Sequence, residues 1–264
     1  MVLEYLEYHV AHHCNLNCRG CGHLSNLVEE ESFGDLNQFK RDLTRLSELF
    51  ENVKVIRLMG GEPLLNPDCI SFVETARDVF PKARISIVTN GLLLPSMSCE
   101  FYRQVQKNEC RIQVSAYKPT RPLLDIIETK CNEAGVILEI IKIDKNLFFK
   151  QADPEGKNIA IKSYESCYSK GCTFLQDGKL SVCCAPFVSR LLSDKYGLSL
   201  EISNDDWIDI YDENITAEKI VAFISTAIPF CRYCSPEKQW FDWKSVGHNV
   251  SKYDWVIDTS TAKT

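Results

Sequence analysis

Between residues 4 and 144 the sequence alternates two periodicities, and this alternation limits the fold more than any other feature. The stretch "DLNQFKRDLTRLSELF" (35–50) places Leu36, Phe39, Leu43, Leu46 and Leu49 at steps of three and four. That spacing predicts a helix, with Asp35 positioned to cap it. Residues 68–80, 98–108 and 122–135 read as further helices, the first stopped by Pro81 and the last ending at Gly135. Strands are expected at 4–13, 53–59, 83–91, 110–117 and 136–144. Five strands separated by four helices imply an α/β fold of parallel βαβ units with right-handed crossovers. A full barrel, a partial barrel and an open sheet all satisfy the pattern. In each of them the segments that follow strands gather at one rim, where functional residues collect. The loop starting at Cys14, the turn Gly60–Pro63, Thr89–Gly91 and Ser115–Tyr117 would share that rim.

After residue 145 the rhythm breaks. "QADPEGKN" reads as a loop, and "CTFLQDGKLSVCC" (172–184) as a hairpin turning at Asp177 and Gly178. Residues 194–228 look helical and irregular. With 264 residues, 45% of them apolar, the chain can bury one large α/β core, alone or with a small appendage. A net charge of −6 argues against nucleic acid or an anionic membrane as the main partner. A small-molecule substrate fits better. The start lacks a basic segment followed by an apolar one, and no apolar run reaches membrane-spanning length. The expected location is the cytoplasm, where thiols stay reduced.

Thirteen cysteines are then the informative residues. Cys69, Cys99, Cys110 and Cys131 stand alone in helical or strand-like segments and read as small packed side chains. Cys14, Cys18 and Cys21 lie on one short loop with spacing C-x3-C-x2-C. Three thiolates plus His12, His13 or His23 would satisfy tetrahedral zinc. Three thiolates alone would hold a [4Fe–4S] cluster with one iron open to a chelating ligand.

C-x3-C-x2-C after a first strand, followed by "GGEP" (Gly60, Gly61, Glu62, Pro63) after the second, resembles the radical S-adenosylmethionine (radical SAM) superfamily. The resemblance in order and spacing runs from residue 4 to about 144. It implies a partial (β/α)6-type TIM barrel over 1–150, with Cys14, Cys18 and Cys21 holding a [4Fe–4S] cluster. The open iron would chelate S-adenosylmethionine, and one electron would cleave its sulfonium to a 5′-deoxyadenosyl radical that takes a hydrogen atom from substrate. A flavodoxin or ferredoxin would supply that electron. Gly60, Gly61, Glu62 and Pro63 resemble the motif that receives the methionine amino group, with glycine allowing close approach and Glu62 able to accept from an ammonium. Thr89, Asn90 and Ser115 sit where the family often contacts the cofactor's ribose or carboxylate. The residue before the third cysteine, usually aromatic and near the adenine, is here Gly20. His23 or Leu24 is the residue expected to cover that surface.

The second cysteine group, Cys167-x10-Gly178-x4-Cys183 followed by Cys231-x2-Cys234, resembles the SPASM and twitch extensions that carry auxiliary [4Fe–4S] clusters. The alternative is a zinc ribbon. Only one set of four assembles cleanly, Cys167, Cys183, Cys231 and Cys234, which favours the one-cluster twitch form over 151–240, followed by a tail, 241–264, packed on the core. Cys172 and Cys184 remain as alternative ligands, as hydrogen-atom donors, or as packed thiols.

A fully ligated second cluster suits electron transfer. The chain is similar in size and cysteine layout to twitch-type aminocyclitol dehydrogenases, which implies oxidation of a small polar, carbohydrate- or aminocyclitol-like substrate. Aminoglycoside epimerases imply a competing reaction, with Cys172 or Cys184 returning a hydrogen atom, and radical dehydration is a third. Peptide-modifying SPASM enzymes often carry an N-terminal peptide-binding domain, for which a first strand beginning near residue 4 leaves no room. A non-catalytic cluster or zinc scaffold is the reading from a different class. Trp240, Phe241 and Trp243 could stack on a sugar ring or pack the C-terminal segment.

Overall fold

The computed structural model describes residues 1–142, 148–247 and 249–258. Its contacts divide the chain into two units that are not linear in sequence: residues 1–15, 32–144 and 176–178 form one, and 16–31, 145–175 and 179–264 the other. The cysteine loop therefore crosses the division, with Cys14 in the first unit and Cys18 and Cys21 in the second.

In the first unit the two predicted periodicities become a parallel α/β layer. Its strands are β1 (Leu6–Ala11), β2 (Val55–Gly60), β3 (Arg84–Thr89), β4 (Arg111–Ala116) and β5 (Leu138–Lys142), each parallel to the next. Between them run α1 (Leu36–Leu49), α2 (Cys69–Val79), α3 (Cys99–Lys107) and α4 (Leu124–Ala134). This is the parallel α/β arrangement of a partial barrel, and residues 143 and 144 of the last expected strand lie outside the described residues. Asp35 caps α1 as its position suggests, accepting from the Gln38 N–H at 2.9 Å. Ser98 does the same for α3 through Phe101 N–H, and Gly135 ends α4 at φ 67°, a left-handed conformation that glycine adopts without Cβ strain.

Burial follows the period of two along the strands. Ile56, Leu58, Ile85, Ile87, Ile112 and Val114 are sealed against the helices, and Tyr8 meets Phe39 and Phe72 at ring distances of 4.5 and 5.7 Å. Several of the alternate positions are polar. Glu7 pairs in register with Arg57, Arg57 with Ser86, and Ser86 with Arg111. One step on, Gln113 is opposite Glu139, which also holds Arg111 at 2.7 Å. The sheet face turned away from the helices is thus a charged and hydrogen-bonding surface. Of the four solitary cysteines, Cys69, Cys110 and Cys131 are buried as expected, and burial pushes Cys110 up to about 12 and Cys131 to about 11. Cys99 departs from expectation: it opens α3 and is exposed.

In the second unit β6 (Phe148–Ala152) pairs antiparallel with β10 (Cys234–Phe241), matching Ala152 to Cys234. The short α5 (Ala160–Glu165) docks on this ribbon through Ser163 Oγ, which donates to the Cys234 carbonyl at 2.6 Å. β7 (Phe174–Gln176) and β8 (Lys179–Ser181) flank Asp177 and Gly178, which both take positive φ, as a tight hairpin turn requires. The helix expected within 194–228 begins earlier: α6 spans Ala185–Tyr196, started by Pro186 and ended by Gly197 at φ 64°. β9 (Ile208–Asp209) pairs with β8, and α7 (Ala217–Ile224) follows. Among the described residues no helix is long and apolar enough to cross a membrane.

Phe72 is fully buried and touches rings on both β1 and α1. Phe72→Ala should cost about 3–5 kcal/mol through lost transfer energy and a residual cavity. Denaturant unfolding should show a lowered midpoint with an unchanged slope.

Candidate functional site

The Gly-Gly-Glu-Pro turn is built by backbone proximity. Gly60 takes φ 123°, and a Cβ there would sit 2.2 Å from the Ala11 carbonyl oxygen. A Cβ on Gly61 would sit 1.9 Å from the His13 carbonyl oxygen. Without side chains, the turn closes on the exit of β1: Gly61 N–H donates to Ala11 O at 2.8 Å and Glu62 N–H to His13 O at 3.0 Å. The residue next to His13 is Cys14, so the turn fixes the root of the cysteine loop. On the far side His13 Nδ1 lies 3.1 Å from the backbone N of Ser32.

Glu62, the ammonium acceptor suggested by its motif, has partners within the chain. It is fully buried and its oxygens are already engaged: Oε1 accepts from Thr89 Oγ1 at 2.7 Å and Leu64 N–H at 3.1 Å, Oε2 from Asn90 N–H at 2.8 Å. The carboxylate ties the end of β2 to the end of β3. Burial raises it from its ordinary 4.5 to about 7, and the three hydrogen bonds oppose that rise. Thr89 is likewise used within the chain, its hydroxyl also accepting from Gly91 N–H. Asn90 reaches the cysteine loop directly, with Nδ2 2.7 Å from Asn15 Oδ1 and 3.7 Å from Cys14 Sγ. Ser115 is in β4, one residue from its end, and half-buried.

In the second unit the C-terminal tail runs alongside residues 17–21. Arg19 N–H donates to Lys244 O and Val246 N–H to Asn17 O, both at 2.9 Å. Arg19 Nε meets Asp254 Oδ1 at 2.7 Å, and its guanidinium lies 4.7 Å from the Phe241 ring centre. Gly20 explains itself here: at φ 63° a Cβ would fall 2.6 Å from the Phe241 ring and 2.8 Å from Asp254 O. The aromatic beside that position is Phe241 from the tail. Trp255 Nε1 donates to Cys21 O at 2.9 Å, and Trp243 Nε1 lies 3.1 Å from Cys18 Sγ. The aromatics of the tail are packing groups at this loop, while Trp240 stays half exposed against Phe149. Sequence reading missed both tryptophan contacts because they join residues more than 200 positions apart.

The auxiliary cysteines also gather within the second unit. Burial first, then Cys184, Cys234 and Cys231, push the Cys183 thiol well up. Burial, then Cys231 and Cys167, push Cys234 up to about 12. Burial dominates at Cys231 as well, with Cys167 among its charged neighbours. Cys183 thus feels Cys184, Cys234 and Cys231, while Cys231 and Cys234 both feel Cys167. Cys184 Sγ lies 3.6 Å from His23 Nδ1, two residues after Cys21. Cys172 closes a tight turn, its N–H donating to Ser169 O at 2.9 Å.

These residues fit iron–sulfur clusters. Four interacting thiols match the thiolate set of one cluster. On the loop bearing Cys18 and Cys21, Asn17 Oδ1, Ser25 Oγ and Asn26 Oδ1 are buried without a hydrogen-bond partner, which marks a polar environment prepared for a further group.

Residues 8–147, more than half of the chain, match the radical SAM superfamily. Curated relatives include a GTP 3′,8-cyclase of Sulfurovum sp., 30% identical over 44% of this chain and 36% of the relative, and one of Geobacter sulfurreducens, 31% identical over 37% and 30%. The chain spans about a third of the length of these relatives. Among solved structures, BtrN in complex with AdoMet and 2-DOIA aligns over 97% of this chain and 98% of its own, at 16% identity and a TM-score of 0.50. An anSMEcpe structure with bound AdoMet and a peptide aligns over 89% and 83%, at 13% identity and a TM-score of 0.50. Both similarities are of fold.

Because Glu62 keeps its proton in the folded protein to about pH 7 but loses it near 4.5 when unfolded, its burial costs stability as pH rises across that window. The slope should be at most about 1.4 kcal/mol per pH unit and should vanish in Glu62→Gln. Denaturant melts between pH 4.5 and 7 compare the two. Gly61→Ala cannot be accommodated without moving the chain at His13, and should abolish cofactor binding measured by equilibrium dialysis.

Proposed function

The chain belongs to the radical SAM superfamily, and we propose that it oxidises a small polar, carbohydrate- or aminocyclitol-like substrate by removing two hydrogens. When bound, a cluster at Cys14, Cys18 and Cys21 together with S-adenosylmethionine supplies one-electron cleavage of the sulfonium and a radical that takes hydrogen from an unactivated carbon. The remaining roles fall to the chain. Gly60 and Gly61 keep side chains out of the space beside the cysteine loop, so backbone carbonyls there can face an ammonium. Asn90 holds Asn15 and approaches Cys14, steadying the first cysteine.

The observation that carries the oxidation reading is that Cys183 and Cys231 edge one buried cluster and that Cys231 and Cys234 link Cys183 to Cys167 electrostatically. Four thiolates saturate a cluster, and a saturated cluster suits taking up an electron rather than binding a ligand. A second support comes from the first unit. Its sheet face turned away from the helices carries Glu7, Arg57, Ser86, Arg111, Gln113 and Glu139, and Gln113 Oε1 is buried without a partner. Hydroxyl and amine groups match such a surface, and an apolar substrate would leave Gln113 Oε1 unpaired. A flavodoxin- or ferredoxin-like protein is the reductant this chemistry calls for. The nucleotide cyclisation named for the curated relatives is not carried over, since the match spans about a third of their length.

A second reading, epimerisation, has one specific observation in its favour. Cys184 lies beside His23 on the loop that follows Cys21, as a thiol returning hydrogen to a substrate radical would need to lie.

Anaerobically reconstituted protein with dithionite and S-adenosylmethionine should release 5′-deoxyadenosine. Incubated with aminocyclitols and sugars, it should give a product lighter by two hydrogens. Cys231→Ala should lose the auxiliary cluster and that product while still cleaving S-adenosylmethionine. A product of unchanged mass that gains solvent deuterium, with both lost in Cys184→Ala at full iron content, would replace oxidation by epimerisation.

A further inference from the structure

The contact between Trp243 and Cys18 stands out among the interactions of the tail, because it reaches a sulfur rather than a backbone atom. Trp243 Nε1 is 3.1 Å from Cys18 Sγ, and Cys18 is buried. The backbone that immediately follows the indole is pinned to the cysteine loop. Lys244 O accepts from Arg19 N–H, Ser245 bridges to Cys18, and Val246 N–H donates to Asn17 O. The tail thus runs antiparallel to residues 17–19, with Trp243 next to the first of these anchors. Two further ties, Arg19 to Asp254 and Trp255 to the Cys21 carbonyl, keep the tail in place.

We propose that Trp243 is a positioning residue that sets the reduction potential of the cluster bound by Cys18, through a hydrogen bond from its indole N–H to the ligating sulfur. This rests on the family reading that Cys18 is a cluster ligand. Indole nitrogen can only donate, so the contact has one polarity. Reduction places one more negative charge on iron and sulfur, and a donor aimed at sulfur stabilises the more negative state more strongly. The bond therefore makes the cluster easier to reduce. Burial of Cys18 excludes competing water and strengthens the effect. Trp255 supplies an internal contrast: its N–H donates to a backbone carbonyl of the same loop.

Trp243→Phe keeps most of the ring and deletes the donor. In the reconstituted protein, iron content should stay at the wild-type level. For the cluster whose electron paramagnetic resonance signal changes on adding S-adenosylmethionine, the ratio of reduced to oxidised form at a fixed potential should fall about tenfold, or about 59 mV for one electron. Trp255→Phe should leave that midpoint where it is. An unchanged midpoint in Trp243→Phe overturns the proposal, and so does an equal shift in both variants, which would report only a loosened loop. If Trp243→Phe fails to load iron, wild-type protein carrying 15N-indole tryptophan decides. Electron–nuclear double resonance on the reduced cluster should show a coupled nitrogen, and its absence overturns the assignment. A wild-type protein without any cluster responsive to S-adenosylmethionine would fail earlier and would sink the family reading with it.

Discussion

The candidate site depends on a backbone contact that leaves no room for a single methyl group. Gly60 and Gly61 let the end of the second parallel strand press against the carbonyls of Ala11 and His13, where the chain leaves the first strand. Any β-carbon at either position would collide with an oxygen that cannot give way without moving the chain that leads to Cys14. Glu62 then extends the contact sideways, spending its carboxylate on Thr89, Asn90 and Leu64. Three strand ends are thereby locked together by one turn. Fixed backbone of this kind can present carbonyls to a ligand without reorganising when it binds.

The second unit works by a different principle, the gathering of thiols into a desolvated space. Burial and neighbouring sulfurs both favour the protonated form of Cys183 and Cys234. Loading metal at these residues must release protons, so assembly of the unit and of its cluster are linked. Apolar side chains surround the group: Tyr164, Val182, Ile228, Phe230 and Tyr233 form one buried cluster with Cys183 and Cys231 at its edge. Such a setting restricts access of water to a bound cluster.

Legibility in the sequence followed the range of the interactions. The helices α1 to α4 and the strands between them were readable because their periodicity and their caps, Asp35 and Gly135 among them, act within a few residues. The cysteine spacing and the Gly-Gly-Glu-Pro turn were readable because one loop and one turn supply them. Most of helix α6 was missed because the helical reading started only at residue 194, and Cys99 was misjudged because an apolar-looking position at a helix start can still face solvent. The contacts of Glu62 with Thr89 and Asn90 were not readable because strand pairing brings those partners to it.

By itself, the sequence determined which segments are helix and strand and which thiols are close along the chain, since those are consequences of periodicity and short spacing. Only tertiary structure decided what surrounds the sulfurs. Trp243 meets Cys18 across 225 residues, Phe241 fills the space that Gly20 leaves, and Cys167, Cys183, Cys231 and Cys234 converge from separate elements. No local preference encodes such meetings, because each depends on where two distant backbones come to rest once the apolar surfaces between them have been buried.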